Sequence, residues 1–201
     1  EKYQISDYKP LDLGDEGIIN MQIAAFDADD KADGTGKAPI TWIGRELPKT
    51  FHRMNPKFTV NEDGTYQEGT GAVGGWEKCE LRRYLKDTIK LLVPEIVRNN
   101  IVEVNKTSSA YDVEGKYFVQ NTVDDMWIPN DKELSNSPCL YQSLFPNNAS
   151  RVKKKVGYSQ NSSWWLRNAR SAGYYDIVSD NGSVDRWTSY VEFGVVLCFC
   201  T

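Results

Sequence analysis

The stretch WWLRNARSAGYYDIVSDNGSVDRWTSYVEFGVVLCFC, residues 164–200, decides the fold. Its end, Gly194 to Cys200, is apolar in both alternating sets, Val195/Leu197/Phe199 and Val196/Cys198/Cys200. A strand of that kind is covered on both sides and belongs in the middle of the body. Its beginning, Trp164 to Arg167, reads as another strand. Between them Asn181-Gly182 is the preferred pair for a two-residue hairpin turn, which lays Tyr174 to Asp180 against Ser183 to Ser189. In that register one face carries Tyr174, Asp176, Val178, Asp185, Trp187 and Ser189, and the other Tyr175, Ile177, Ser179, Val184, Arg186 and Thr188. Neither is cleanly apolar, so the segment holds more exposed aromatic and polar matter than its own packing needs.

The rest of the chain gives this hairpin a β-rich frame with one clear helix. Gly17 to Phe26 and Ala38 to Ile43 read as strands, followed by a long loop from about Pro48 to Gly75. After the breaker Gly74-Gly75, a helix is expected from near Trp76: Leu81, Leu85, Ile89 and Leu92 recur at three- or four-residue steps, with Glu77 and Glu80 in the first turn. Pro94 to Asn99 forms a short final piece. Strands are expected at Ile101–Val104, Lys116–Val119 and Asp125–Pro129, then a loop of Asn, Ser and Pro. The whole, residues 1–201, reads as one domain of 201 residues, with 40% hydrophobic and 26% charged residues, as befits a folded globular chain.

Several function classes lose support at this level. A net charge of −4 offers no general attraction for phosphate, and the one dense basic cluster, Arg151-Val152-Lys153-Lys154-Lys155, reads as a solvated loop or edge, so no nucleic-acid partner is expected. No apolar run approaches bilayer length, and Glu1 to Pro10 lacks the layout of a secretion signal, so neither membrane insertion nor a visible signal peptide is expected. Asp27 to Gly34 suggests a calcium loop, but Lys31 occupies a ligand position and no Glu closes it, leaving a polar turn. Cys79, Cys139, Cys198 and Cys200 allow three disulfide pairings that sequence does not choose among, and Cys198 and Cys200 read as buried small hydrophobes. The single histidine, His52, reads as a structural loop residue. No catalytic, metal or cofactor site is expected.

Composition points to binding. No Lys follows Val156, although fifteen precede it, whereas residues 168–193 hold Tyr174, Tyr175, Tyr190, Trp187, Arg170, Arg186 and several Ser. Tyr, Trp and Arg without Lys is the balance of a protein interface, and Tyr with Ser, Gly and Asn is that of an antibody paratope, where rigid rings give large contact area at low entropic cost.

Trp164-Trp165-Leu166-Arg167, Asn181-Gly182-Ser183-Val184 and Gly194-Val195, in that order, resemble the C-terminal half of bacterial and phage variable proteins of the C-type lectin fold that retroelements diversify. Residues 75–85 and 125–129 resemble the helix and strand of the branch related to formylglycine-generating enzymes. The resemblance implies an α+β C-type lectin fold, mainly antiparallel sheet with one or two packed helices and long loops. It also implies a hypervariable surface over about 168–193, made by copying a template with errors at adenines. Asn-type codons so altered never yield Lys, as observed. Carried over position by position, the variable candidates are Arg170, Ser171, Tyr174, Tyr175, Asp176, Ser179, Asp180, Ser183, Asp185, Arg186, Thr188, Ser189 and Tyr190, with Ile177, Val178 and Val184 as framework. Trp187 and Glu192 depart from the Asn-codon outcome, as framework or as products of other template codons, and Trp187 joins Tyr174, Tyr175 and Tyr190 as an aromatic anchor. The partner implied is a protein or glycan receptor on a bacterial cell surface, met by a phage tail or a surface adhesin, with a homo-oligomer possible. The closing Val195 to Phe199 differs from the Arg-Pro ending common in relatives. Two alternatives stand beside this reading: a copper-dependent oxidase using Cys198 and Cys200, and a calcium-dependent carbohydrate lectin, whose Glu-Pro-Asn or Gln-Pro-Asp and Trp-Asn-Asp strings do not occur here.

Overall fold

Short runs rich in β-branched and aromatic residues become short antiparallel strands in the computed structural model, which describes residues 2–134 and 140–201. The strands are β1 (Tyr8–Asp12), β2 (Ile18–Phe26), β3 (Ile40–Gly44), β4 (Val104–Tyr111), β5 (Tyr117–Asp124), β6 (Lys153–Lys154), β7 (Asn161–Ser162), β8 (Trp164–Ser171), β9 (Tyr174–Val178), β10 (Val184–Thr188) and β11 (Cys198–Cys200). The helical pieces are a 3-10 turn (Gly14–Glu16), α1 (Glu80–Tyr84), a π turn (Leu85–Ile89), α2 (Lys90–Leu92), α3 (Glu95–Arg98), α4 (Asp131–Leu134) and α5 (Asn148–Arg151). The sheets run β1-β2-β3-β11, β10-β9-β8, β4-β5 and β6-β7, and every paired strand is antiparallel. The fold is therefore α+β.

The apolar ending is buried from Val195 to Cys200, as its double alternation requires. Only its last three residues form strand pairs with β3, and on the other side Val102 and Trp127 bridge Cys200 and Cys198. Where strands were expected at Ile101–Val104 and Asp125–Pro129, only Val104 lies in a strand, as the start of β4, and through those two bridges the chain caps the β11 edge. The helix starts at Glu80, four residues after the expected Trp76, because Trp76 is spent as a fully buried core residue whose Nε1 donates to Asp124 at 3.2 Å. Leu81, Leu85 and Ile89 face the core, but Leu92 is exposed, since the helix ends there before Pro94.

The hairpin is slipped by one residue from the two-residue turn. Val178 pairs with Val184 and Tyr174 with Thr188, so Asp180, Asn181 and Gly182 form a three-residue loop closed by Ser179 N–H to Ser183 O at 2.8 Å. Gly182 takes φ +83, and a Cβ there would stand 1.9 Å from Asn148 O, so packing on α5 fixes the loop as well as its local chemistry. A one-residue slip exchanges faces along a whole strand. Tyr175, Ile177, Asp185 and Trp187 now share one face, and Tyr174, Asp176, Arg186 and Thr188 the other.

The basic cluster is a solvated edge only in part: Lys154 is exposed, but Arg151 and Lys153 are buried, and Arg151 Nε donates to Gly182 O at 2.9 Å. Lys153 Nζ donates to Gly44 O at 2.5 Å, and burial pushes its ammonium down to about 8 from 10.5, against the opposing pull of Cys198 and Glu46. A Lys depressed in the folded state weakens it fully below pH 8, and that cost is relieved as pH rises from 8 to 10.5. Lys153→Met is expected to raise the unfolding free energy at pH 7 by about 1–2 kcal/mol after loss of the carbonyl bond. The gap from wild type should close in melts taken toward pH 10.5. A gap independent of pH would contradict this.

The core's polar centre joins elements far apart in sequence. Lys106 on β4, Asp29 in the loop after β2, Glu133 on α4, Arg167 on β8 and Tyr141 are all buried. Arg167 grips Glu133 through two bonds of 2.7 Å, and Lys106 Nζ contacts Asp29, Glu133 at 3.1 Å and Tyr141 OH at 3.2 Å. Lys106 also lies 4.0 Å above the Trp127 ring. Asp29 is thus committed to Lys106 and to Thr41, Asp30 pairs with Lys37, and Asp33 bonds Thr35, so the polar turn 27–34 spends these three carboxylates internally.

Candidate functional site

β4 and β8 lie side by side, joined by Ser109 N–H to Asn168 Oδ1 at 3.2 Å, Ser109 Oγ to Ala169 O at 2.6 Å and Tyr111 OH to Arg170 O at 3.0 Å. Opposite Leu166 to Arg170 the β8–β9 register shifts twice. Bulges of this kind re-aim side chains, and here Asn168 and Arg170 both come to line one cleft. The cleft holds about 380 Å³. Its walls are Thr107, Ser109 and Tyr111 of β4, Tyr117 and Val119 of β5, Asn130 to Lys132 at the start of α4, Asn168 and Arg170 of β8, and Asp176 of β9.

The start of α4 is placed by a reciprocal cap: Asn130 Oδ1 accepts from Glu133 N at 2.9 Å, and Glu133 Oε2 accepts from Asn130 N at 2.8 Å. Asn130 Nδ2 also donates to Thr107 O at 3.0 Å, and Asn168 Nδ2 donates to Asp131. The buried ion cluster behind thus sets the cleft wall, since Glu133 serves both. Asp176 is almost wholly buried and accepts from Arg170 Nε at 2.9 Å. Burial pushes its carboxyl up to about 6 from 3.8, with Arg170 opposing and Asp131 adding to the rise. The cleft therefore offers a carboxyl raised to about 6, a half-exposed guanidinium, amides and two rings: a mixed donor and acceptor lining for a polar ligand.

The fourteen sequence candidates separate into three groups. Arg170, Tyr174, Asp180, Asp185, Arg186, Trp187 and Tyr190 are exposed; Ser171, Ser179, Ser183 and Thr188 are partly so. Tyr175, Asp176 and Ser189 are buried, which corrects the expectation of a fully displayed set. Tyr175 is core: its ring meets Trp165 edge-on at 6.5 Å, and burial pushes its hydroxyl well above 10. Ser189 ties the 54–56 loop, its Oγ donating to Pro56 O at 3.1 Å while its O accepts from Met54 N at 2.9 Å. Ser179, Asn181 and Ser183 knit the turn, with 2.7 Å between the two serine hydroxyls. Trp187 belongs to the core-facing side, its ring 6.0 Å from Phe193. Tyr174 and Trp187 therefore stand on opposite faces and do not form one aromatic platform. Arg170, Asp176, Tyr174, Arg186 and Thr188 do share a side, and the first two enter the cleft.

Cleft residues that sequence reading missed are Tyr111, Tyr117, Asn130, Asp131 and Lys132, while Asn168 stands at the edge of the expected 168–193 segment without having been singled out. The one signal for them was the Tyr pair flanking the turn at Asp112-Val113-Glu114-Gly115; the rings sit 5.8 Å apart. Cys79, Cys198 and Cys200 are buried free thiols, and Cys139 lies outside the described residues. Burial pushes Cys79 and Cys200 to about 12 and Cys198 well above 9, so these three are protonated rather than reactive thiolates. Among the described residues no group of three or more His, Cys, Asp and Glu side chains could hold a metal ion. His52 stacks on Tyr84 at 4.3 Å and its carbonyl accepts from Trp165 Nε1 at 2.8 Å, a structural post.

Fold and site define an α+β domain of antiparallel sheets with a small polar cleft between β4–β5 and β8–β9. Residues 52–200 match the family described as a domain of unknown function, DUF6273, and the chain belongs to that family. No curated protein and no solved structure matches the chain.

Proposed function

We propose that the chain is a ligand-binding module whose contact surface is this cleft together with the adjoining polar face of β9–β10. The observation that carries the reading is Asp176: a nearly buried carboxylate paired with a half-exposed Arg170 at the wall of a ready-formed cleft, an arrangement that costs desolvation in the free protein. The ligand proposed is a protein or glycan receptor on a bacterial surface, reached from a phage tail or a cell-surface adhesin. A C-type lectin topology is proposed with it, supported by the antiparallel sheets, the long loops and the closing strand that joins the opening sheet.

Retroelement diversification is likewise proposed, now centred on the exposed positions Arg170, Tyr174, Asp180, Asp185, Arg186 and Tyr190. A near-copy of the gene's 3′ end differing at adenines, beside a reverse transcriptase, would support it; its absence would count against diversification and leave the cleft untouched.

The binding test probes arrays of bacterial surface glycans and peptides with wild type, Arg170→Ala and Lys132→Ala. Hits by wild type are expected to weaken at least tenfold in both variants, about 1.4 kcal/mol or more, with an unchanged melting curve for Lys132→Ala and a lowered one for Arg170→Ala, which leaves the buried Asp176 carboxylate without its partner. Hits that survive both substitutions would contradict a cleft-centred surface.

A further inference from the structure

The two strands of the β4–β5 ribbon differ at their outer edges. The far edge of β4 is occupied, with Lys31 bridging Val104 and Val73 bridging Tyr111. On the outer edge of β5 no bridge forms among the described residues, although the β4–β5 register runs unbroken over all eight pairs from Tyr117 to Asp124. Proteins protect a long free edge with Lys, Pro or a bulge, because its unpaired N–H and C=O groups recruit another strand. Tyr117 to Val123 contains no Lys, no Pro and no charge at all, and Tyr117, Val119 and Val123 are each about half exposed, at 55%, 56% and 46%.

The direction of the backbone groups can be worked out. Asn105 N–H donates to Asp30 O at 2.8 Å and Ser109 N–H to Asn168, both away from β5. The pairs Asn105–Val123 and Ser109–Val119 are therefore the non-hydrogen-bonded kind, and by alternation so are Thr107–Asn121 and Tyr111–Tyr117. The N–H and C=O groups of Tyr117, Val119, Asn121 and Val123 accordingly point to the open edge. Among the described residues only Val123 O of these has a partner, the Arg82 guanidinium at 2.9 Å, and a carbonyl can accept twice.

We propose that β5 is a dimerisation strand that pairs antiparallel with β5 of a second copy about a two-fold axis at Gln120. In that register Tyr117 faces Val123 and Val119 faces Asn121, so every outward backbone group meets one on the partner. Each Tyr also meets a β-branched residue, a favourable cross-strand pair. The occupant is a second copy because the pattern is its own complement: an uncharged strand with odd-numbered residues outward matches itself in this register. The product is a continuous sheet β4-β5-β5-β4, with two clefts side by side, since Tyr117 and Val119 also line the cleft. A contact of one strand edge is small, so the dimer is weak and concentration-dependent.

Sedimentation or light scattering across a concentration series tests this. Wild type should pass from monomer to dimer, and Val119→Lys and Val123→Lys should each weaken association at least tenfold with unchanged melting curves. In a Cys139→Ser background, Val119→Cys mixed with Asn121→Cys should cross-link on oxidation. A chain monomeric at every concentration would overturn the proposal, even if it captured an unrelated extended peptide; so would a dimer that withstands both Lys substitutions.

Discussion

Glu133→Gln is expected to cost about 3–5 kcal/mol of stability at pH 7, because the isosteric amide leaves Arg167 and Lys106 buried without their shared anion. For a domain of this size that lowers the melting temperature by on the order of 10 °C. Burial raises the Glu133 carboxyl, but Arg167 and then Lys106, with the bonds from Arg167 and Asn130, outweigh it and hold it at about 2 rather than 4.5. The sign follows from that depression: the stabilisation is complete above pH 4.5 and is lost as pH falls from 4.5 toward 2. Wild type should therefore lose stability more steeply over that range than Glu133→Gln, so the two melts converge in acid. Equal midpoints at pH 7 would show that the buried cluster is not what holds α4 to β4 and β8. Because Glu133 also caps α4 through Asn130, the same substitution should loosen the cleft wall.

Tyr175→Ala is expected to cost about 3–5 kcal/mol, the range for emptying a buried aromatic site. Its ring is fully enclosed beside Trp165, and its hydroxyl sits 3.5 Å from Asn55 Nδ2. Tyr174→Ala and Tyr190→Ala, with rings exposed by 42% and 46%, should stay within about 0.5 kcal/mol of wild type. Urea titrations of the three single variants separate the cases. A silent Tyr175→Ala would restore a display surface that includes every tyrosine of the tail; a costly Tyr174→Ala would show that ring to be part of the frame.

The contrast among these tyrosines shows what was legible in the sequence. Local pattern gave β2, β8, the buried ending and the Leu81/Leu85/Ile89 face, because burial on fixed periods is written in consecutive residues. It misplaced the hairpin by one residue, because Asn181-Gly182 fits both a two- and a three-residue loop, and the choice is made by α5, where Asn148 O packs against Gly182. That slip moved Trp187 to the face of Tyr175 and brought Arg186 beside Asp176, which is why the expected aromatic patch became a polar face. Arg151 and Lys153 were misread as solvated because charge alone does not announce a buried partner: Lys153 meets the backbone Gly44 O, and Arg151 meets Gly182 O and the Asn148 side chain. The ion cluster of Asp29, Lys106, Glu133 and Arg167 was invisible for the same reason: its members are far apart in sequence and meet only once the sheets assemble. The cleft inherits that, since β4, β5, α4, β8 and β9 each contribute one wall.

The most direct test of cleft-centred binding is a titration of isotope-labelled protein with the tightest ligand found on the arrays, followed by amide chemical shifts. The predicted result is that the largest changes fall on Asn130 to Lys132, Asn168 to Arg170 and Asp176. Changes confined to Trp187 through Tyr190, or spread without relation to the cleft, would contradict it.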